Sequence, residues 1–173
     1  MHSGKHIGGS VSNSASNVSL KNRINKIFVI GFNKCGTRSI HHLLQKNRLK
    51  SFHVGPKWRK LDEDVCNNRK LNRKLLYGYE DYCVFSDTSI LQKEYTTLDA
   101  QYPNSLFILN TRDKLDWMVS RLNHRAPRSD GESRSYIRFM NRKNKTQLSW
   151  EEWVCRWSKE WDYHHSDTSE YFK

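Results

Sequence analysis

The sequence predicts an α/β domain, a three-layer sandwich with a central parallel sheet between helices. Three observations predict it. Short apolar runs alternate with segments of helical periodicity along most of the chain. The runs at Ile27–Ile30 and Leu106–Leu109 are apolar at successive positions, as in strands covered on both faces. The first of these runs passes through a glycine-bounded loop directly into an amphipathic segment.

Residues 1–24 are rich in Ser, Gly and Asn, have no apolar core of the kind a signal peptide carries, and read as a flexible polar tail. Lys26–Ile30 is then a buried strand, and Thr37–Lys46 a helix with Ile40, Leu43 and Leu44 on one face. Ser51–Val54 is a short second strand. Leu61–Leu76 is predicted helical, apolar at Leu61, Val65, Leu71 and Leu75. Tyr82–Ser86 is a third strand ending at Asp87, and Ile90–Gln101 a helix stopped by Pro103. Ser105–Asn110 is the fourth strand, apolar enough to sit centrally in the sheet, and Asp113–Leu122 a helix. The basic, Ser-containing stretch Asn123–Asn144 reads as a loop or lid. A last helix from Ser149 carries Trp150, Trp153, Trp157 and Trp161, whose spacing of three, four and four residues puts the indoles on one face, as core packing.

The chain has 173 residues, enough for one domain with a substantial core. Thirty basic against 18 acidic residues give a formal charge of +12. That excess points to an anionic partner or, more blandly, to a solvated basic surface. The four cysteines (Cys35, Cys66, Cys83, Cys155) are dispersed, with no C-x-x-C pair, which excludes a zinc ribbon and a dense disulfide framework. The pairs His41–His42 and His164–His165 are adjacent, so on a helix their rings diverge by roughly 100°; no metal site is expected. No stretch is apolar enough to span a membrane, and without a targeting signal a cytoplasmic location is expected.

The loop from Gly31 through Asn33, Lys34 and Cys35 to Gly36 lies between a strand and a helix that opens with Thr37, Arg38 and Ser39. Backbone N–H groups of such a loop, together with the positive end of the helix dipole, cradle an anion. Gly-x4-Gly is the spacing of a nucleotide P-loop, and the expected sheet is P-loop NTPase-like. A Walker loop, however, continues with Lys and then Ser or Thr, where this chain has Thr37 and Arg38. The lysine stands inside the loop, at Lys34. A second segment, FILNTRDKLDWMVSRLNHR, places Arg112 and Asp113 where a strand leaves the sheet, with Ser120 eight residues after Arg112. Carboxyl ends of parallel strands are where such sheets bind ligands. An arginine there can fork two hydrogen bonds to a phosphate, and a helical serine can add a third.

With both segments in view, the sequence resembles the sulfotransferases that use 3′-phosphoadenosine 5′-phosphosulfate (PAPS). The glycine loop is similar to their phosphosulfate-binding loop in the form G-x-x-K-x-G-T-x-S, and Arg112, Asp113 and Ser120 to their 3′-phosphate motif; FSDTSIL and YPNSLFILNTRD add to the likeness. The resemblance spans about Lys26 to Phe172. It implies sulfuryl transfer from PAPS as co-substrate, without a metal, to a hydroxyl or amine on a small molecule or an anionic glycan. It also implies that Lys34 steadies charge on the bridging oxygen, that Gly36, Thr37 and Ser39 hold the phosphosulfate, and that Arg112 and Ser120 bind the 3′-phosphate. Arg38 departs from the pattern, since many members have Thr there. It exchanges a hydroxyl for a cation beside the phosphates, or simply faces solvent.

An acceptor must lose a proton, so a base is expected near the sulfuryl group. Asp87 is the first candidate and His53 the second; Asp87 can equally cap the helix beginning near Ser89, and His53 can be a packed strand residue. Relative to the family, the domain, 25–173, is expected to lack a final strand and helix. Two other readings stand beside this one: a P-loop nucleotide kinase or NTPase with Asp87 as its acid, and a non-catalytic basic polyanion binder. Nucleic acid is not the expected partner, because no DNA- or RNA-reading motif is present.

Overall fold

A computed structural model describes residues 24–53, 58–123 and 133–173. The expected tail lies outside these residues except for its last position, as does 124–132 of the expected lid. In chain order the elements are β1 (Ile27–Val29), α1 (Thr37–Lys46), β2 (Ser51–His53), α2 (Trp58–Lys70), β3 (Val84–Ser86), α3 (Ser89–Gln92), α4 (Tyr95–Gln101), β4 (Leu106–Ile108), α5 (Lys114–Asn123), α6 (Ser133–Asn144) and α7 (Trp150–Tyr171).

The four strands form one all-parallel sheet in the order β2-β3-β1-β4. Strand alternation divides its side chains between two faces. Phe28, Ile30, Phe52 and Phe85 pack with Leu61 and Val65 of α2 and with Tyr95 and Leu98 of α4. Ile27, Val29 and Val84 pack with Ile40 and Leu44 of α1 on the opposite face. Helices therefore cover both faces, the predicted α/β architecture. A third cluster lies beyond the carboxyl end of β1, where Phe32 and Cys35 meet Trp117, Trp153, Trp157 and Trp161. The tryptophan stripe is core, as its spacing predicts. Among the described residues no helix is long and apolar enough to cross a membrane, and all four cysteines are free.

Four expectations need correction. β4 is not central: it is an edge of the described sheet, with Leu106 46% exposed. Its apolar run is explained by Phe107 and Leu109 covering one face and Ile108 the other. The helix expected to reach Leu76 ends at Lys70, and Leu71 is exposed. A turn with Asn72 in the left-handed region follows. Leu75 and Leu76 are still buried there, because the Asn68 side chain donates to the carbonyls of Leu75 and Tyr77, while Gln101 and the Tyr102 hydroxyl accept the two leucine N–H groups.

The helix expected over Ile90–Gln101 is broken between Gln92 and Tyr95. The Gln92 amide is drawn into the sheet end, where Nε2 donates to the Gly31 carbonyl at 2.8 Å, and Glu94 is taken by an ion pair with Arg69. The supposed lid contains a helix, α6. Met140 packs against the tryptophan cluster, and Asn141 Oδ1 accepts from Trp153 Nε1, Thr146 Oγ1 and the Leu148 N–H. Tertiary docking holds as helix a stretch whose composition reads as loop.

Candidate functional site

The glycine loop leaves β1 at its carboxyl end and is fixed there by polar groups from four other elements. Gly31 is first. A Cβ at this position would stand 1.9 Å from the Asn110 carbonyl oxygen, so only glycine lets the loop and the end of β4 lie this close. The Asn110 carboxamide bridges the loop: Oδ1 accepts the Gly31 N–H at 3.1 Å, and Nδ2 donates to the Cys35 carbonyl at 2.9 Å. Gln92 holds the Gly31 carbonyl, Trp117 Nε1 donates to the Asn33 carbonyl at 2.9 Å, and Arg112 Nη1 donates to the Lys34 carbonyl at 3.1 Å. His164 Nε2 donates to the Ile30 carbonyl at 2.8 Å. The carbonyls of Ile30, Gly31, Asn33, Lys34 and Cys35 are thus all bonded.

Two residues take left-handed backbone angles, Lys34 (φ 70°) and Gly36 (φ 84°). In lysine that conformation carries strain, which the surrounding bonds must hold. Gly36 precedes α1, and nothing lies within 4 Å of where its Cβ would stand. No side chain caps α1 and no acid occupies its first turn, which instead carries Arg38. By contrast α7 is closed by a reciprocal capping box of Ser149 and Glu152. An uncapped helix start with open space before it and cations around it is suited to an anion.

An open cleft of about 440 Å³ lies beside this loop, and its wall includes Lys34, Arg112, Asp116 and Ser120. The sequence elements that are 78 residues apart, loop and strand end, meet here. Arg112 also lies 3.8 Å from Asp116 one turn along α5. Asp113 is the N-cap of α5, its Oδ1 accepting the Asp116 N–H at 3.0 Å. The loop's other predicted residues divide. Asn33, Gly36, Arg38 and Ser39 are exposed, Lys34 is half-buried, and Thr37 is buried. The Gly31 N–H is already engaged by Asn110. The Cys35 side chain faces the aromatic cluster, where burial pushes its thiol up to about 11 against the pull of Arg112. It is therefore protonated and inert, and Cys35 can meet a ligand only through its backbone.

On the other side of β1, the ends of β3 and β2 bring Asp87 and His53 together, with Oδ2 and Nε2 3.9 Å apart. Asp87 has φ 56°, another left-handed non-glycine residue. It does not cap α3: the N-cap is Thr88, and no side chain completes that cap. Burial pushes the Asp87 carboxyl above its ordinary range, while His53, Lys34 and Arg38 pull it the other way. The charges of the glycine loop and of the helix start are therefore felt at this carboxylate. His53 is not an isolated packed residue: its ring lies 4.8 Å from that of His41, which shares a 2.7 Å hydrogen bond with Ser51 Oγ. Burial and the neighbouring histidines lower the His41 pKa, favouring a neutral ring.

Asn110, Gln92, Trp117, His164 and His41 were not identified from sequence. A polar residue ending the otherwise apolar run SLFILN is the one sequence signal that could have singled out Asn110. Residues 26–172 match the family model described as Sulfotransferase domain. No curated protein and no solved structure gives a significant match.

Proposed function

The chain belongs to the sulfotransferase domain family, and from that premise we propose that it moves a sulfuryl group from PAPS to a hydroxyl or amine acceptor, on a small molecule or an anionic glycan. The observation that carries this reading is the cleft in which Lys34, Arg112 and Ser120 share one wall beside an uncapped helix. When bound, PAPS supplies an activated sulfuryl group on a phosphate leaving group. The residues present suit its charge: two cations, a serine hydroxyl and the free end of α1.

Each residue then has a role that follows from its chemistry. Arg112 and Ser120 grip the 3′-phosphate. The N–H groups and hydroxyls of Thr37 and Ser39 hold the sulfuryl-bearing phosphate, with Gly36 leaving room for it. The Lys34 ammonium faces negative charge developing on the leaving oxygen, stabilisation that grows toward the transition state. Asp87 takes the acceptor's proton. Its raised pKa makes it a better base than an ordinary aspartate, and His53 orients it. Arg38 adds a cation at the mouth of the cradle.

Calorimetric titration tests the reading. Adenosine 3′,5′-bisphosphate is expected to bind without magnesium and more tightly than Mg-ATP. Preference for Mg-ATP would replace the reading with a P-loop kinase or NTPase. Tight, salt-sensitive oligonucleotide binding that PAPS does not displace would replace it with a polyanion binder.

A further inference from the structure

A second cavity, of about 510 Å³, lies between the α3–α4 junction and the second half of α7, and shares no lining residue with the anion cleft. Volumes of this order house small organic ligands. Its lining has a charge opposite to that of the protein as a whole. Glu160, Asp167 and Glu170 recur on α7 at spacings of seven and three, so one helix face presents all three carboxylates, against a single lysine, Lys93, across the cavity. In a chain of formal charge +12 this is a local reversal. Phe32, Tyr95, Tyr163 and Tyr171 supply aromatic surface to the same walls.

His164 adds an independent feature. It is only 6% exposed and lines the cavity. Its Nε2 must carry the hydrogen, because the Ile30 carbonyl that it bonds can only accept. Nδ1 is left as a lone-pair acceptor with no protein partner among the described residues. Burial lowers the ring's pKa, which keeps that lone pair available. The carboxylates have partial engagements, Asp167 with the Tyr95 hydroxyl and Glu160 with Arg156 at 3.3 Å. Each retains further acceptor capacity.

We propose that this cavity is a binding site for a small organic cation, an amine carried on an alkyl arm of an aromatic ring. The ammonium group donates to the carboxylates and to His164 Nδ1, and the ring packs among Phe32 and the tyrosines, whose faces also attract the cation. The site is independent of the anion cleft, and its test needs no nucleotide. Tyramine is titrated into the 173-residue protein by calorimetry, with p-cresol and 4-hydroxyphenylacetate as neutral and anionic analogues. Tyramine is expected to bind saturably, at least about tenfold more tightly than either analogue. The double variant Glu160→Gln, Glu170→Gln is expected to weaken tyramine about tenfold, and Tyr163→Ala, which removes a ring that is 71% exposed, to weaken it severalfold. Melting curves unchanged from wild type establish that the variants remain folded. Arg112→Ala is expected to leave tyramine binding intact. No saturable binding, equal binding of the three probes, or wild-type affinity in the double variant would overturn the proposal.

Discussion

Gly31 and Asn110, 79 residues apart, are in such close approach that a single added methyl group on Gly31 would overlap the Asn110 carbonyl oxygen at 1.9 Å. The same pair exchanges a backbone-to-side-chain hydrogen bond. The glycine loop is thereby locked to the end of β4, the strand that leads to Arg112. Gly31→Ala is expected to push the loop off β4, destabilising the fold by about 1–3 kcal/mol or more. Nucleotide affinity should fall with it; denaturant unfolding and calorimetry read both quantities.

Asn110→Ala removes two bonds and leaves the buried Gly31 N–H and Cys35 carbonyl without their partner. A loss of about 1–3 kcal/mol is expected in urea unfolding. Adenosine 3′,5′-bisphosphate affinity should drop although Asn110 itself is not assigned to the ligand. Unchanged affinity would show that the loop keeps its form without the clamp.

Asp87→Asn is expected to lower kcat by about 10²- to 10⁴-fold with nucleotide affinity retained. The protein should also become more stable at neutral pH. The folded-state pKa of Asp87 is raised, so its protonated form is favoured by folding, and that stability is lost as pH rises through the folded value. The gain in melting temperature from Asn should therefore shrink as pH falls and Asp87 itself becomes protonated. For the wild type, the acid limb of kcat/KM should lie above that of an ordinary aspartate.

Arg112→Ala should weaken adenosine 3′,5′-bisphosphate about 10- to 100-fold, the size of one or two charge-assisted hydrogen bonds. Adenosine 5′-phosphosulfate, which lacks the 3′-phosphate, should lose much less. An equal loss for both ligands would mean that Arg112 acts through its bond to the Lys34 carbonyl rather than on the phosphate.

Lys34→Ala is expected to cut kcat by about 10²- to 10³-fold with little change in melting temperature, because the side chain is half-buried and contributes charge rather than core. Lys34→Gly should be slightly more stable than Lys34→Ala, since glycine accepts φ 70° without strain. The order of the two melting curves checks this.

Strands, the glycine loop and the α1 helix could be read directly, since each is encoded within a window of about ten residues. The tryptophan stripe of α7 was readable for the same reason: a spacing of three and four fixes a helix face before any partner is known. Asp87 illustrates the limit. Sequence left base and helix cap side by side; the helix start at Ser89 puts the N-cap at Thr88, and Asp87, in a left-handed backbone angle, stands beside His53 instead.

The sequence by itself determined that an apolar parallel sheet carries a glycine-bounded loop at the carboxyl end of its first strand, with Arg112 on a later strand-helix turn and Ser120 in the helix that follows. Only the tertiary structure decided how that loop is held. Asn110, Gln92, Trp117 and His164 reach it from four different elements. The strand order β2-β3-β1-β4 places β3 and β4 on either side of β1, which is why Asp87 and Arg112 flank the loop. Periodicity is a local property of the chain, whereas hydrogen bonds across 61 to 134 residues depend on which strands become neighbours.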